Sequence, residues 1–419
     1  MADVQPLRTL RYEPATVGSL ERVIAPPYDV IDAAERAQLL QRSPFNVVEI
    51  DLPQVNGGDP YAHARDTLSE WRRQGVVVRE DQPALWALQQ EYTAPDGSQR
   101  TRRGFFARVR VEDYGAGRIR PHERTHPGPK EDRLRLTRAT RANLSPIFSL
   151  FPDRDNAAGE ALERARGREP FSTANDPDGT RNSLWRIAEP ELIAELQGAV
   201  ADAELLIADG HHRYETARIY ADEVGGEGEH RYVLMFLCSL SEPGLTVFPT
   251  HRLLSNLKQP QVQERLGGAL ERDFDTERIS AEELEPEPSD RIQFGYMDSH
   301  FRQPFRLTLK DQSIADQALP GMSEPYRKLD TAVLEALVLR GALGMSEDDI
   351  SHLNGLGYSK SFDEARAGVE SGDWDAGFFM RATPVEQVRE VAEAGEAMPP
   401  KSTYFYPKVP TGLVFNPLE

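Results

Sequence analysis

Apolar runs of strand length alternate with helical spacings along most of the chain. The sharpest junction follows Leu205-Leu206-Ile207-Ala208, a run the length of a buried strand. Asp209-Gly210 interrupts it, and Tyr214, Ala217, Ala221 and Val224 then recur three or four apart. Glycine accepts backbone angles that end a strand, and Gly225-Gly226 closes the helical stretch. The pattern predicts strand, tight turn and helix, with Asp209, His211, His212 and Arg213 crowded into the turn. A helix start presents unpaired N–H groups and the positive end of the dipole, which suits an anion such as phosphate. An Asp-Gly between strand and helix is often a turn and nothing more. Four chemically capable side chains at one such turn point instead to a site.

The flanking pattern is of the same kind. Asp32 caps a helix to about Arg42, with Glu35 at the capping-box position. Residues 46–52 read as a strand. Residues 60–74 form an amphipathic helix with Ala64, Leu68 and Trp71 on one face. Residues 85–93 and 101–111 are strands joined by the hairpin signal Pro95-Asp96-Gly97-Ser98. A basic helix over 132–142, a strand over 146–151, a polar surface excursion over 153–180 and a helix over 189–200 lead into the central strand. Strands at 232–240 and 245–248, a helix at 260–272, an acidic proline-containing linker at 282–290 and a strand pair at 292–297 and 305–309 follow. A long helix spans 328–343. These elements make an α/β (or α+β) fold, a mixed sheet with helices. They divide into an N-terminal region (1–112), a central region (113–255) and a C-terminal region (256–419).

Composition narrows the function. At 419 residues with 39% hydrophobic positions the chain can bury sizeable cores. A net charge of −19 excludes broad nucleic-acid or anionic-membrane binding, while leaving room for a local basic pocket. The single cysteine, Cys238, lies in an apolar run and has no partner for an internal disulfide, which suits core packing and a cytoplasmic setting. No segment has the length and apolarity of a membrane span. Oligomeric state is not legible in the sequence.

A second polar stretch carries His122-Glu123-Arg124-Thr125-His126, which matches H-E-x-x-H. The zinc motif needs a helix that puts both histidines on one face. Pro121, Pro127 and Pro129 leave no room for one, so no zinc is expected. Glu123 is a candidate general base on an extended loop, or else an exposed partner of Arg120 or Arg124. In the tail, Lys401, Ser402 and Thr403 offer an ammonium and two hydroxyls beside Tyr404-Phe405-Tyr406. They suit phosphate binding or a rigid loop that packs its aromatics. His63, His230, His300 and His352 stand alone in polar surroundings and receive no role. The P-loop, Rossmann and nucleophile-elbow signatures are absent.

Arg11-Tyr12, Ala25-Pro26-Pro27-Tyr28-Asp29-Val30, Pro121-His122-Glu123, Ala208 to Ala217, Pro249-Thr250-His251-Arg252 and Met398-Pro399-Pro400-Lys401-Ser402-Thr403 together resemble the bacterial and archaeal family called domain of unknown function 1015. More distantly, Asp209-Gly210-His211-His212-Arg213 before a helix is similar to the ParB/sulfiredoxin superfamily, which holds nucleotide phosphates at such a turn. One branch, the ADP-dependent free serine kinases, pairs this turn with an upstream Pro-His-Glu. The resemblance implies a central ParB/sulfiredoxin-like unit with N- and C-terminal extensions. It implies a phosphotransferase acting between a nucleotide (ADP or ATP) and a small hydroxylated acceptor such as free L-serine. Carried over, Glu123 is the base, and Asp209 orients the site or holds Mg²⁺. His211 joins the catalytic set, and Gly210, His211, His212, Arg213 and His122 bind phosphate. A ParB-like nucleotide-binding protein without turnover and a nucleotide or phosphoester hydrolase are the rival expectations.

Overall fold

The two long strands of the N-terminal hairpin bury residues on both faces, so the first sheet needs cover on each side. The computed structural model describes residues 2–94, 97–114, 117–122 and 127–419. Among them a nine-stranded mixed sheet is built from β1 (Val4–Gln5), β2 (Leu85–Thr93), β3 (Gln99–Arg110), β4 (Ile119–Pro121), β5 (Ile147–Phe151), β6 (Ser172–Asn175), β7 (Arg181–Ile187), β8 (Leu205–Asp209) and β9 (Tyr232–Ser239). The order is β4-β8-β5-β9-β3-β2-β7-β6, with β1 on the far end of β3. The pairs β4–β8 and β5–β9 are parallel and the others antiparallel. The fold is therefore mixed α/β.

Helices α1 (Pro60–Arg73), α2 (Pro127–Thr140), α3 (Ala157–Ala165), α4 (Pro190–Ala201) and α5 (His211–Val224) accompany this sheet. Ala158, Ala161 and Leu162 of α3, Leu196 and Val200 of α4 and Tyr214 and Ala217 of α5 share one core with Phe105, Ile147, Leu205, Ile207 and Met235. The opposite parity carries Phe106, Phe148 and Phe236, whose rings meet at 5.3 and 5.5 Å. Cys238 is fully buried on β9, and burial pushes its thiol up to about 12, so it is an inert core group.

Contacts divide the chain into two units. The first runs to Pro121, resumes after the undescribed stretch through Thr246, and is completed by Pro407–Glu419. That last segment is laced to the N-terminal part of its unit: Leu10 and Phe415 exchange backbone hydrogen bonds at 3.1 and 2.9 Å, as do Ala25 and Thr411 at 3.1 and 2.8 Å. The second unit holds Val247–Tyr406 with His122. Its sheet comprises β10 (His251–Leu254), β11 (Phe274–Arg278), β12 (Gln293–Asp298), β13 (Phe305–Leu309), β14 (Leu356–Ser359) and β15 (Ala376–Phe379), ordered β11-β13-β12-β15-β10-β14 and antiparallel throughout. No helix among the described residues is long and apolar enough to cross a membrane.

Three local expectations are corrected. The strand expected over 46–52 is a helical turn, Val48–Asp51, because the Asn46 side chain accepts from Val48 N–H at 3.1 Å while donating to the carbonyls of Arg22 and Ile24. The surface excursion over 153–180 contains α3 and β6. The long helix over 328–343 begins as Asp330–Leu334 and continues as a wider π-type turn, Glu335–Ala342.

Gly104 marks the tightest approach between β3 and β9. A Cβ there would stand 2.5 Å from Leu237 O and 2.5 Å from Phe236 Cζ. Gly104→Ala should lower stability in a urea titration by about 1–3 kcal/mol, the usual cost of overpacking. An unchanged midpoint would show that the two strands are free to part.

Candidate functional site

The corner after β8 is assembled by backbone before any side chain acts. The ladder of β8 against β5 shifts register between Ile207 and Asp209, a bulge that re-aims the strand end. Gly210 then sits in the left-handed region at φ 96°, ψ 29°, as the cap of α5. A side chain there would be strained by that φ and would meet the Arg213 guanidinium at 3.0 Å, so glycine is required twice over. No side chain caps the helix, although Gly210 O accepts from Tyr214 N–H at 3.0 Å. Tyr214 is fully buried, and its hydroxyl donates to Glu112 O at 2.9 Å, fixing the first turn of α5 to the end of β3.

Asp209 is held by two cations. Arg213 Nη2 donates to Oδ2 at 2.6 Å, and Lys408 Nζ donates to Oδ1 at 2.9 Å. Burial alone would raise this carboxyl, but the charges of Lys408 and Arg213 outweigh it and hold Asp209 well below the usual carboxylate range. Arg213 Nη1 donates onward to Ser145 Oγ at 2.8 Å and to Pro146 O. Ser145 Oγ also meets Thr411 Oγ1 at 2.9 Å. Arg213, expected from the sequence to bind phosphate, thus bonds both Asp209 and the chain entering β5. His211 is buried and His212 half-buried in the first turn of α5.

Beside Arg213 lies a cavity of about 40 Å³ with mixed polar and apolar walls, large enough for a water. Tyr28, Asp51, Arg133, Ser145 and Arg213 are among its walls. Arg133 Nη1 donates to Asp51 O at 2.6 Å and meets Asp51 Oδ1 at 3.3 Å, while its guanidinium stacks 4.1 Å from the Tyr28 ring centre. Burial pushes Tyr28 up to about 12, so its phenol is neutral. On the other side, fully buried Arg102 lies 4.6 Å from the Phe148 ring centre and donates to Gln90 Oε1 at 3.1 Å. Gln90 Nε2 in turn donates to Lys408 O at 3.0 Å. Lys408, Tyr28, Asp51, Arg133 and Ser145 were not singled out from sequence. Tyr28 lies inside the Ala25–Val30 motif and Lys408 ends the aromatic tail, so both stood within recognisable stretches.

The remaining expected residues fall in the second unit. His122 is buried, its Nε2 2.8 Å from Thr403 Oγ1, its carbonyl accepting from Met398 N–H at 2.7 Å and its ring 5.8 Å from that of Phe405. Ser402 is buried, with Oγ 2.7 Å from Pro399 O and 3.0 Å from Thr331 Oγ1. Lys401 is exposed at a left-handed φ of 58°. The local bonds of His122, Ser402 and Thr403 are those of a packed loop. Glu123 lies outside the described residues, as do Arg124, Thr125 and His126.

Asp209 is the residue expected to orient the site or hold Mg²⁺. Both Asp209 oxygens are held by cations, and among the described residues no group of three His, Cys, Asp or Glu is gathered closely enough to hold a metal ion.

The sequence pattern of the family described as "Protein of unknown function (DUF1015)" matches residues 4–332. No curated protein matches the chain. Similar solved structures include a conserved hypothetical protein from Pyrococcus furiosus (17% identity, TM-score 0.36, 71% of this chain and 92% of that one). A free serine kinase in complex with AMP is 17% identical, with a TM-score of 0.35 over 71% of this chain and 89% of that one. SbnI with a C-terminal truncation, from Staphylococcus aureus, is 11% identical, with a TM-score of 0.37 over 73% and 85%.

Lys408→Met keeps the side-chain length and removes the charge. At pH 7 it should cost about 1–3 kcal/mol of unfolding free energy. Asp209 is depressed in the folded state, so its contribution is complete above its unfolded value of about 3.9 and is lost as pH falls through the folded value. The difference between parent and variant should therefore shrink in urea titrations taken from pH 7 down to pH 3. A gap that stays constant would show that Lys408 does not act on an ionised Asp209.

Proposed function

The chain belongs to that family, and from that premise we propose that it is a phosphotransferase. It moves a phosphoryl group from a nucleotide, ADP or ATP, to a small hydroxylated metabolite, with free L-serine the first acceptor to try. The observation that carries this reading is the uncapped start of α5, opening beside a carboxylate that two cations hold. Backbone N–H groups of the first turn and the helix dipole favour an anion there. Lys408, His211 and His212 bring donors to the same place. Gly210 lets the backbone approach the phosphates closely, and Arg213 holds the turn in shape.

In the proposed step the acceptor hydroxyl oxygen attacks the terminal phosphorus as Glu123 takes its proton. The bond from that phosphorus to the bridging oxygen breaks, and the shortened nucleotide leaves with the electron pair. Catalysis of this kind rests on positioning and charge. No step is routed through a metal. The nucleotide site falls within the central region, 113–255, with Lys408 reaching it from the C-terminal segment, and the proposal places the reaction in the cytoplasm.

One observation favours a second reading, nucleotide binding without turnover. Asp209, the carboxylate of the corner itself, is held by two cations and is not available as a base. The two readings separate in one experiment. The protein is incubated with ADP or ATP and a panel of hydroxylated metabolites, and products are followed by phosphorus NMR and mass spectrometry. A phosphorylated acceptor supports the transferase. Inorganic phosphate released without an acceptor indicates a hydrolase, and calorimetric binding with neither product indicates a regulatory nucleotide site.

Two substitutions sharpen the assignment. Glu123→Gln should reduce turnover by about 10²-fold or more, the range of a lost general base, and leave nucleotide affinity within about twofold. Equal loss of both would remove Glu123 from the base role. His212→Ala should weaken nucleotide binding about tenfold, as expected for one charge-assisted hydrogen bond; unchanged calorimetry would take His212 out of the phosphate site.

A further inference from the structure

Asn182 on β7, Gln90 on β2 and Arg102 on β3 stand in register on one face of the first sheet. All three are at most 1% exposed. A fully buried arginine is ordinarily met by a carboxylate. Arg102 has none. Its Nε and Nη2 both donate to Gln90 Oε1, the former at 3.1 Å, and its Nη1 has no hydrogen-bond partner. The rings of Phe148 and Phe236 lie 4.6 and 5.6 Å from the guanidinium. Burial pushes Arg102 down to about 10, which leaves it charged near neutral pH. Glutamate has nearly the shape of glutamine and would give that charge a partner, so the neutral amide at position 90 calls for a reason.

The other half of the amide supplies one. With Oε1 taken by Arg102, Nε2 is turned away from it and donates to Lys408 O at 3.0 Å and to Asn182 Oδ1 at 2.9 Å. Asn182 is oriented in its turn, because its Nδ2 donates to Thr180 O at 3.2 Å and to Ala174 O at 3.5 Å. Each donor and acceptor in the row therefore has a fixed sense, and the row ends on the main chain of Lys408. A carboxylate at position 90 would turn an acceptor toward that carbonyl, which is itself an acceptor. The side chain of the same Lys408 reaches Asp209 Oδ1 at 2.9 Å.

We propose that Gln90, set in direction by Arg102, is a positioning residue for Lys408. Its amide N–H holds the lysine main chain where the ammonium reaches both Asp209 and a phosphate at the start of α5. This role rests on the corner being a phosphate site, and it explains why an unmatched cation is kept in the core. Arg102 acts through Gln90 and touches no ligand.

Two substitutions separate positioning from packing. Gln90→Glu gives Arg102 a carboxylate and takes the donor from Lys408 O. Its urea midpoint should hold or rise, while the affinity of the full chain for ADP, read by calorimetry, should fall about tenfold, as for one hydrogen bond to a charged group. Gln90→Met removes the donor without supplying the charge, so its midpoint should fall while ADP affinity drops by a similar factor. A merely structural amide would make binding follow stability in both. Carbon-13 NMR of the Asp209 carboxyl gives a reading without nucleotide. Burial raises that carboxyl, and the charges of Lys408 and Arg213 outweigh it in the parent; in both variants it should titrate at higher pH. An Asp209 titration unchanged in both folded variants overturns the proposal. So does Gln90→Glu that binds ADP as the parent does. A parent that binds no ADP, with Asp209 shifted in the variants, would remove the phosphate site and leave Gln90 as the residue that places Lys408.

Discussion

The carboxylate of Asp209, gripped from two sides by Arg213 and Lys408, is the interaction on which the first unit turns. It joins the end of β8, the first turn of α5 and a segment 199 positions further along. Through Arg213 it reaches Ser145 and the entrance to β5 as well. Buried ion pairs of this kind add little net stability, because desolvation offsets much of the attraction, but removing one partner is costly. What the grip supplies is geometry: a bulged strand end, a left-handed glycine and a helix start are held in one arrangement.

The two units treat charge differently. In the first, Arg213, Lys408 and Arg133 each meet a carboxylate within 3.3 Å, so the surroundings of the corner are rigid and balanced. Arg102 is the exception, met by a neutral amide and an aromatic face. In the second unit, Glu285, Glu287 and Asp290 line a cavity, and Glu285 Oε2 stands 3.8 Å from the buried Nε2 of His251.

The turn itself was readable because several local signals agreed. The apolar run, Asp-Gly, the helical spacing to Val224 and the glycine pair each marked a boundary, and the helix is His211–Val224. The cap at Asp32 and the face of Ala64, Leu68 and Trp71 were legible for the same reason. Residues 46–52 misled because Val47, Val48, Ile50 and Leu52 mimic strand alternation. The decisive bonds run from Asn46 to carbonyls 22 and 24 positions away in chain order, which no local window contains. Helix α3 was missed because its buried face is mostly alanine, Ala158, Ala161 and Ala165 with Leu162, a weak apolar signal. The bonds of Arg213 to Ser145 and Pro146, just before β5, were not legible because these residues lie 67 and 68 positions away in the chain. Lys408 was invisible as a member of the corner because sequence spacing says nothing of contacts so distant.

That distance has a consequence for how the protein is made. Between Asp209 and Lys408 the ribosome synthesises the whole of Val247–Tyr406. At about 5–20 residues per second the 199 positions from Asp209 to Lys408 take roughly 10–40 s. Throughout that interval the nascent corner holds its carboxylate with one cation in place of two, and the strands that await Pro407–Glu419 stand unsealed. The interval is a window in which chaperones or a bound anion have their greatest leverage on the outcome of folding.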